Sequence, residues 1–487
     1  MSETPLHRRD ALGIAEDIRE GRTTAVEALE RFRERVDRLN GDINAVIAHD
    51  FEAAQDAAEG LDRLLRRGYV LGPFHGVPMT VKESYDLAGF RTTWGDPAYA
   101  ENVAQSDAVL VERIKRAGAN VFGKTNVPLN LTDWQSCNAV YGSTGNPWDT
   151  SRTPGGSSGG SAAALAAGLT GLEFGSDIGA SIRNPAHYCG VFGHKPTYGI
   201  VPKRGHWKAR SMAPSDVAVC GPLARSARDL EAALLAVAGD DPVYGAGWTL
   251  DLPKPEKDDL GDFRVCLMTT SAVSDVEQEY QDALRALAEW LRSAGAVVEE
   301  REPIDVDWHE YHLDYFRLFR PVTHSRLPAD AYREFQELVA KLDPADDSYF
   351  AMNARAGTIT YYDWAAADRR RYDYRDKWAA FFRDFDLLLC PQAASAAFPR
   401  NEAQPREVRE LEINGRKVGY NDQLFWAGIS GSVYLPGTVA PIGLGAESGL
   451  PLGVQIVGPY MADLTTIRFA RLLEQAFGGV QIPKGYE

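Results

Sequence analysis

The chain has 487 residues, 44% of them hydrophobic and 25% charged, with a formal net charge of −16. That length buries a large core without disulfide or metal staples, and the composition excludes a fibrous, low-complexity or disordered chain. The acidic balance argues against a nucleic-acid partner, whose phosphates need clustered Lys and Arg. The N-terminal stretch "MSETPLHRRDALGIAEDIRE" lacks the apolar core of a signal peptide, and no run of 18 apolar residues suits a membrane span. The expectation is a cytoplasmic protein with no membrane partner.

In chain order, the first 70 residues read as helical. Thr24 and Glu27 stand at capping-box spacing and open "AVEALERFRERVDRL", with Val26, Leu29 and Phe32 on one face. The run Gly76–Val81 reads as a short strand ending near Lys82. Ser106 is expected to cap the helix "DAVLVERIKRAGA", which leads into a strand at "NVFGKTN". This β/α alternation favours a parallel or mixed sheet covered by helices. Residues 245–260 read as a surface loop. "FRVCLMTT" and "AVVEE" then read as strands around a helix from Ser274 to Gly295. Residues 300–385 are aromatic-rich and mostly helical. "FDLLLCP" reads as a buried strand, Asn414-Gly415 as a tight hairpin, "LPLGVQIVGP" as a strand and "DLTTIRFARLLEQAF" as an amphipathic helix. Five cysteines, Cys137, Cys189, Cys220, Cys266 and Cys390, stand far apart at no metal-ligand spacing. Reduced thiols are expected, with no metal and no cofactor.

The most informative stretch is residues 153–193, "TPGGSSGGSAAALAAGLTGLEFGSDIGASIRNPAHYCGVFG". A flexible linker stays polar throughout, whereas this segment runs on into an apolar, helix-forming stretch. A Walker loop requires Lys where Ser161 stands. A dinucleotide loop requires a preceding strand, which "GNPWDTSRT" does not supply. Gly155-x-Ser157-x-Gly159 matches the nucleophile-elbow spacing, but Pro154 and its polar neighbours deny that motif its apolar strand. His187, His194 and His206 are the nearby candidates for a Ser/His/Asp triad, and no spacing singles one out.

What remains is a pair of serines, Ser157 and Ser181, read as lying in small-residue turns at either end of an Ala-rich helix. The turn Gly179-Ala180-Ser181 is small enough for consecutive N–H groups to converge on one oxygen, as a tetrahedral intermediate requires. Asp177 and Arg183 flank it as a bracing pair. A serine needs a base; without a His, a buried neutral Lys is the other candidate. Lys82 is the best placed, at the end of an apolar strand, although taken alone it reads as a solvated surface charge.

Together "GVPMTVKE", "GKTNVP", "GNPWD", "TPGGSSGGSAAALAAG" and "GSDIGASIRNPAHYCGVFGHKPTYG" resemble the amidase signature family of serine hydrolases, strongly over residues 60–240 and weakly beyond. The resemblance implies an α/β fold: one large α/β/α domain with a mixed β-sheet core covered by helices. Its parts are an N-terminal helical segment (1–70), the signature core (71–240), and a remainder (241–487) that includes an aromatic-rich, substrate-side region.

By motif, Lys82 in "VKES" matches the family's base. Ser157 matches its shuttle serine, held on a cis peptide bond, and Ser181 matches its nucleophile. The N–H groups of Ile178, Gly179, Ala180 and Ser181 match the oxyanion hole. The family commonly has Gly where this chain has Ala180, whose methyl group is expected to narrow the acyl pocket. Leu131 and Trp134 fall where family members line the substrate channel, and segments 305–320 and 355–365 are expected to add an apolar wall.

The function implied is hydrolysis of an aryl or medium-chain acyl amide, with esters and carbamates open, acting on a small-molecule amide and water. A homodimer is compatible with the family, and nothing in the sequence decides it. Two alternatives stand beside this reading: a glutaminase-type subunit of a tRNA amidotransferase complex, and an inactive scaffold on the same fold. Val127-Pro128-Leu129-Asn130, where such subunits usually carry an acidic residue, argues against the first. The intact triad positions argue against the second.

Overall fold

The computed structural model describes residues 4–206, 215–325, 327–346 and 348–487. Its centre is a mixed eight-stranded sheet. The strands run in the spatial order Val297–Glu300, Arg264–Leu267, Leu387–Cys390, Pro451–Val457, Gly437–Leu444, Phe192–Lys195, Val219–Ala224 and Glu173–Asp177. The first three are parallel to one another, and every later neighbour pairs antiparallel. Helices cover the sheet, so its inner strands are buried on both faces. Leu387–Cys390 and Pro451–Val457 are buried at every residue, which is why they read as continuous apolar runs rather than alternating ones.

A second, three-stranded sheet carries Lys82. Pro78–Lys82 lies parallel to Asn120–Thr125, whose other edge takes Val46–His49 antiparallel. The strand Val46–His49 interrupts the helical reading of the first 70 residues; at four residues it is too short for its period to stand out. Around it lie the helices Ala11–Arg19, Ala25–Ile43 and Phe51–Arg66. The second begins at the expected capping box, with Thr24 Oγ1 accepting from Glu27 N–H (3.0 Å) and Glu27 Oε2 from Thr24 N–H (2.9 Å).

Ser106 does not cap the following helix. Val109–Arg116 starts after Ala108, which makes no side-chain cap. The Val109 and Ala108 N–H groups instead donate to the Arg204 and Asp86 carbonyls, at 3.1 and 2.8 Å. The Ala-rich helix is Gly159–Ala166, and the strand Glu173–Asp177 lies between it and the Ser181 turn. Ser157 and Ser181 therefore stand at the ends of different elements, not of one helix.

One contiguous core of buried side chains extends from Ala11 to Tyr486. The helices Trp308–His324, Ala329–Val339, Tyr349–Gly357 and Tyr361–Asp384 form the expected helical region. The hairpin Glu410–Ile413/Arg416–Gly419 turns at Asn414 and Gly415, both at positive φ (52° and 71°), as a two-residue hairpin turn demands. Among the described residues no helix is long and apolar enough to cross a membrane, and all five cysteines are free thiols.

Candidate active site

The buried strand Pro78–Lys82 drives the side chain of Lys82 into the interior, where it is wholly buried. Burial penalises the ammonium and lowers the pKa of Lys82 to about 7. Its Nζ lies 2.7 Å from Ser157 Oγ and 2.9 Å from Ser176 Oγ. Ser157 follows a cis peptide bond from Gly156. Gly156 has to be glycine, because a Cβ there would run into the Asp133 carbonyl.

The second serine sits just past the end of the strand Glu173–Asp177. Ser158 N–H donates to the Ser181 carbonyl at 3.1 Å, tying the two serine-bearing turns together. Asp177 organises the turn from below. Its Oδ2 accepts from the N–H groups of Ile182 (3.0 Å) and Arg183 (3.3 Å), and its Oδ1 from that of Ala180 (3.0 Å). Arg183 closes a two-pronged ion pair, Nη2 to Oδ1 at 2.8 Å and Nε to Oδ2 at 3.0 Å, with both side chains fully buried. Burial pushes the Asp177 carboxyl upward, but the Arg183 guanidinium and the hydrogen bonds hold it below the ordinary value.

The four N–H groups expected as an oxyanion hole are not equally free. The N–H of Ala180 is committed to Asp177, and Ala180 is not on the cavity wall, so its methyl group does not narrow the pocket. Ala180 adopts φ 71°, a left-handed conformation costing roughly 1–2 kcal/mol for a non-glycine residue. The Asp177 carboxylate, bonded to its N–H, helps hold it there. Among the described residues no acceptor pairs with the N–H groups of Ile178, Gly179 and Ser181. The carbonyls of the turn are also fixed: that of Ile178 accepts from Tyr315 O–H, and that of Gly179 from Trp134 Nε1 at 2.9 Å. In a trans peptide the C=O and the following N–H point opposite ways, so Tyr315 sets the direction of Gly179 N–H.

A cavity of about 410 Å³ opens on this turn, with Ser157, Ser176, Ile178, Gly179 and Ser181 on its wall. Leu131 and Trp134 line it too, as does Phe319 from the 305–320 segment. Segment 355–365 does not: Tyr361 and Tyr362 are about four-fifths exposed, at 81% and 79%. The three histidines have other partners. The ring nitrogens of His187 meet Ser395 O (3.1 Å) and Gly453 N–H (2.8 Å), and those of His194 meet Thr438 Oγ1 (2.9 Å) and Asp463 Oδ1 (3.0 Å). His206 is on the cavity wall, with Nε2 2.9 Å from Ser84 Oγ. Ser176, a second partner of Lys82, escapes a reading of the sequence; its only signal is a polar residue inside the buried strand "EFGSD".

Lys82, its pKa lowered to about 7 by burial, lies against a serine that shares one cavity with a second serine and with three N–H groups unpaired among the described residues, a set of groups suited to activating a serine. The family described as Amidase matches residues 27–467, and the chain belongs to that family. It is 33% identical to an indoleacetamide hydrolase of Bradyrhizobium diazoefficiens over 94% of this chain and 85% of that protein. It is 30% identical to a glutamyl-tRNA(Gln) amidotransferase subunit of Anaeromyxobacter dehalogenans, over 94% of each. Among solved structures, 6-aminohexanoate cyclic dimer hydrolase superposes with a TM-score of 0.79 at 29% identity, over 99% of each chain. The protein is an amide-hydrolysing enzyme of the amidase fold.

Proposed function

We propose that this enzyme hydrolyses a carboxylic amide with an aryl or medium-chain acyl group through an acyl-enzyme on Ser181. The 2.7 Å approach of Lys82 Nζ to Ser157 Oγ, made by a lysine whose pKa lies at about 7, carries this reading. Neutral Lys82 takes the proton of Ser157 as Ser157 takes that of Ser181, and Ser181 Oγ bonds to the substrate carbonyl carbon. The carbonyl π electrons move to the oxygen, which rests on the N–H groups of Ile178, Gly179 and Ser181. When the C–N bond breaks, the proton returns through Ser157 to the leaving amine. A water molecule, deprotonated by the same relay, releases the acid and regenerates Ser181. Esters and carbamates fit the same sequence. Leu131 and Trp134 supply apolar contacts to the acyl chain. The segments 1–70, 71–240 and 241–487 act as parts of one domain.

The identity to indoleacetamide hydrolase supports an aryl-bearing acyl group. The test is turnover of a panel of anilides, aliphatic amides, esters and carbamates by the purified chain. At least one amide should be hydrolysed, with release of amine and acid in equal amounts, and Ser181→Ala should abolish it while leaving the fold intact. Turnover that survives Ser181→Ala would overturn the assignment. The identity to the amidotransferase chain supports one second reading, a glutaminase-type subunit. That reading requires glutamine to be the preferred amide and its rate to rise on adding partner subunits.

A further inference from the structure

The cavity wall holds more charge than amide chemistry needs, and not every guanidinium on it meets a carboxylate. Of the four carboxylates on its wall among the described residues, Asp133 is paired with Arg409, Asp177 with Arg183 and Asp241 with Arg204, while Asp240 accepts from the Asp241 N–H at 2.6 Å. Two guanidiniums on the same wall, Arg320 and Arg406, have no carboxylate within salt-bridge distance among the described residues.

Arg320 is only 8% exposed. It lies over the Phe319 ring (4.4 Å to the centroid), with Phe316 and Tyr349 farther out (5.4 and 5.5 Å). One Nη donates to the Tyr349 hydroxyl, and Nε has no partner among the described residues. Arg406 stacks over Trp134 at 4.5 Å and donates to two neutral acceptors, Asn421 Oδ1 at 2.6 Å and the Thr132 carbonyl. Stacking on aromatic faces supports a guanidinium without neutralising it. A buried charge is ordinarily paired, because unpaired burial is expensive. Burial pushes the Arg320 pKa below its ordinary value and the like charge of Arg406 pushes it the same way, while Tyr349 and the Glu407 carboxylate oppose the shift; Arg406 is held above its ordinary value against burial by Tyr349, Asp133, Tyr420 and Glu407.

Arg406 stands one aromatic ring from the Ser181 turn and Arg320 two. The Phe319 ring meets Tyr315 (4.9 Å between centroids), whose hydroxyl holds the Ile178 carbonyl, and Trp134 holds the Gly179 carbonyl. We infer that Arg320 and Arg406 form an anion subsite at the far end of the acyl pocket, and that the amide substrate carries a carboxylate at the far end of its acyl chain. This rests on the amidase reading above and narrows it to the monoamide of a dicarboxylic acid or an acyl group of similar charge. The planar guanidiniums supply the paired donors that a carboxylate accepts, while Leu131, Trp134 and Phe319 flank the methylenes or ring between its two ends.

The test is binding without turnover. Ser181→Ala enzyme is titrated calorimetrically with glutaramate and with pentanamide, equal in length and differing only in the terminal carboxylate, and then with the succinic and adipic homologues and their methyl-ended counterparts. At one or more lengths the carboxylate ligand should bind about ten-fold tighter or more. Arg320→Gln in that background should shrink the ratio toward one. Arg406→Gln, at a half-exposed position, should also shrink it and serves if the first variant does not fold. No preference for the carboxylate at any length, or a preference that both variants retain, would overturn the subsite. Wild-type enzyme that hydrolyses no amide, while Ser181→Ala keeps the preference, would sink the amidase reading and leave the subsite standing.

Discussion

At the scale of single residues, the proposed chemistry turns on the protonation of Lys82. Its pKa of about 7 comes from burial, and the base works only when neutral. The rate kcat/KM should therefore rise with pH through about 7 and level off above it. Glu173 is buried behind the site, held by Thr80 and Thr125, and burial pushes its pKa up to about 8. Glu173→Gln should keep the rising limb, whereas Lys82→Ala should remove it together with most of the activity; loss of the limb in Glu173→Gln alone would reassign it. The same burial has a sign in stability. Below about pH 7 the folded state carries a buried ammonium and above it gives up that proton, while the unfolded lysine stays protonated up to its ordinary value of 10.5. The penalty is full below the folded pKa and fades as pH rises toward the unfolded one; each ten-fold change in the protonation equilibrium is worth about 1.4 kcal/mol. Lys82→Met should thus be inactive yet more stable, with a gain in Tm that is largest at neutral and lower pH and shrinks toward pH 10. An equal gain at every pH would contradict the lowered pKa.

At the scale of elements, the turn after the strand Glu173–Asp177 is held from three sides. Arg183 reaches from it to Ser430 Oγ (2.9 Å) and Gln455 Oε1 (2.6 Å), joining the turn to the helix Leu424–Gly431 and the strand Pro451–Val457. Removing one partner of a buried pair strands the other charge, so Arg183→Met should lose about 3–5 kcal/mol of stability in denaturant titration. Tyr315, on the helix Trp308–His324, acts only through the Ile178 carbonyl. Tyr315→Phe should lower kcat on the order of ten-fold, short of the 10²–10³ typical for deleting an oxyanion donor outright, with KM and Tm nearly unchanged. A change in KM alone would make Tyr315 a wall residue rather than a positioning one. These elements also mark how far the sequence could be read. The proposed triad of Lys82, Ser157 and Ser181 came from the family resemblance of the local motifs that hold them; taken alone Lys82 reads as a surface charge, and its complete burial is what the structure adds. The engagement of Ala180 N–H was not legible, since a side chain three residues back competes for it. Tyr315 and Arg320 lie in the 305–320 segment that the sequence offered as an apolar wall, but neither the hydroxyl on the Ile178 carbonyl nor a guanidinium on the cavity wall was legible there, and Arg406 comes to the cavity from more than two hundred residues beyond Ser181, where no local period marks its approach. Tyr361 and Tyr362 misled in the opposite direction, because an aromatic-rich helix carries rings on its outer face as well as its inner one.

At the scale of the whole molecule, both serines and the lysine come from a chain that completes its own core, and the cavity wall is built from segments of that one chain. The purified protein should therefore turn over its amide with no added subunit, nucleotide or tRNA, at a rate proportional to protein concentration in a dilution series; a requirement for any of these would favour the amidotransferase reading. The mixed sheet, the alternation of strands with helices and the C-terminal strand and helix were all legible, since they rest on local hydrophobic patterning. The placement of Lys82 on a second sheet beside the main one was not, because pairing partners are chosen by tertiary packing. The most direct measurement of the central claim is intact-mass spectrometry after treatment with a fluorophosphonate, followed by peptide mapping. A single adduct at Ser181, formed faster as pH rises through about 7 and absent in Lys82→Ala, is the predicted result. A folded protein with no adduct, or one labelled equally with and without Lys82, would contradict it.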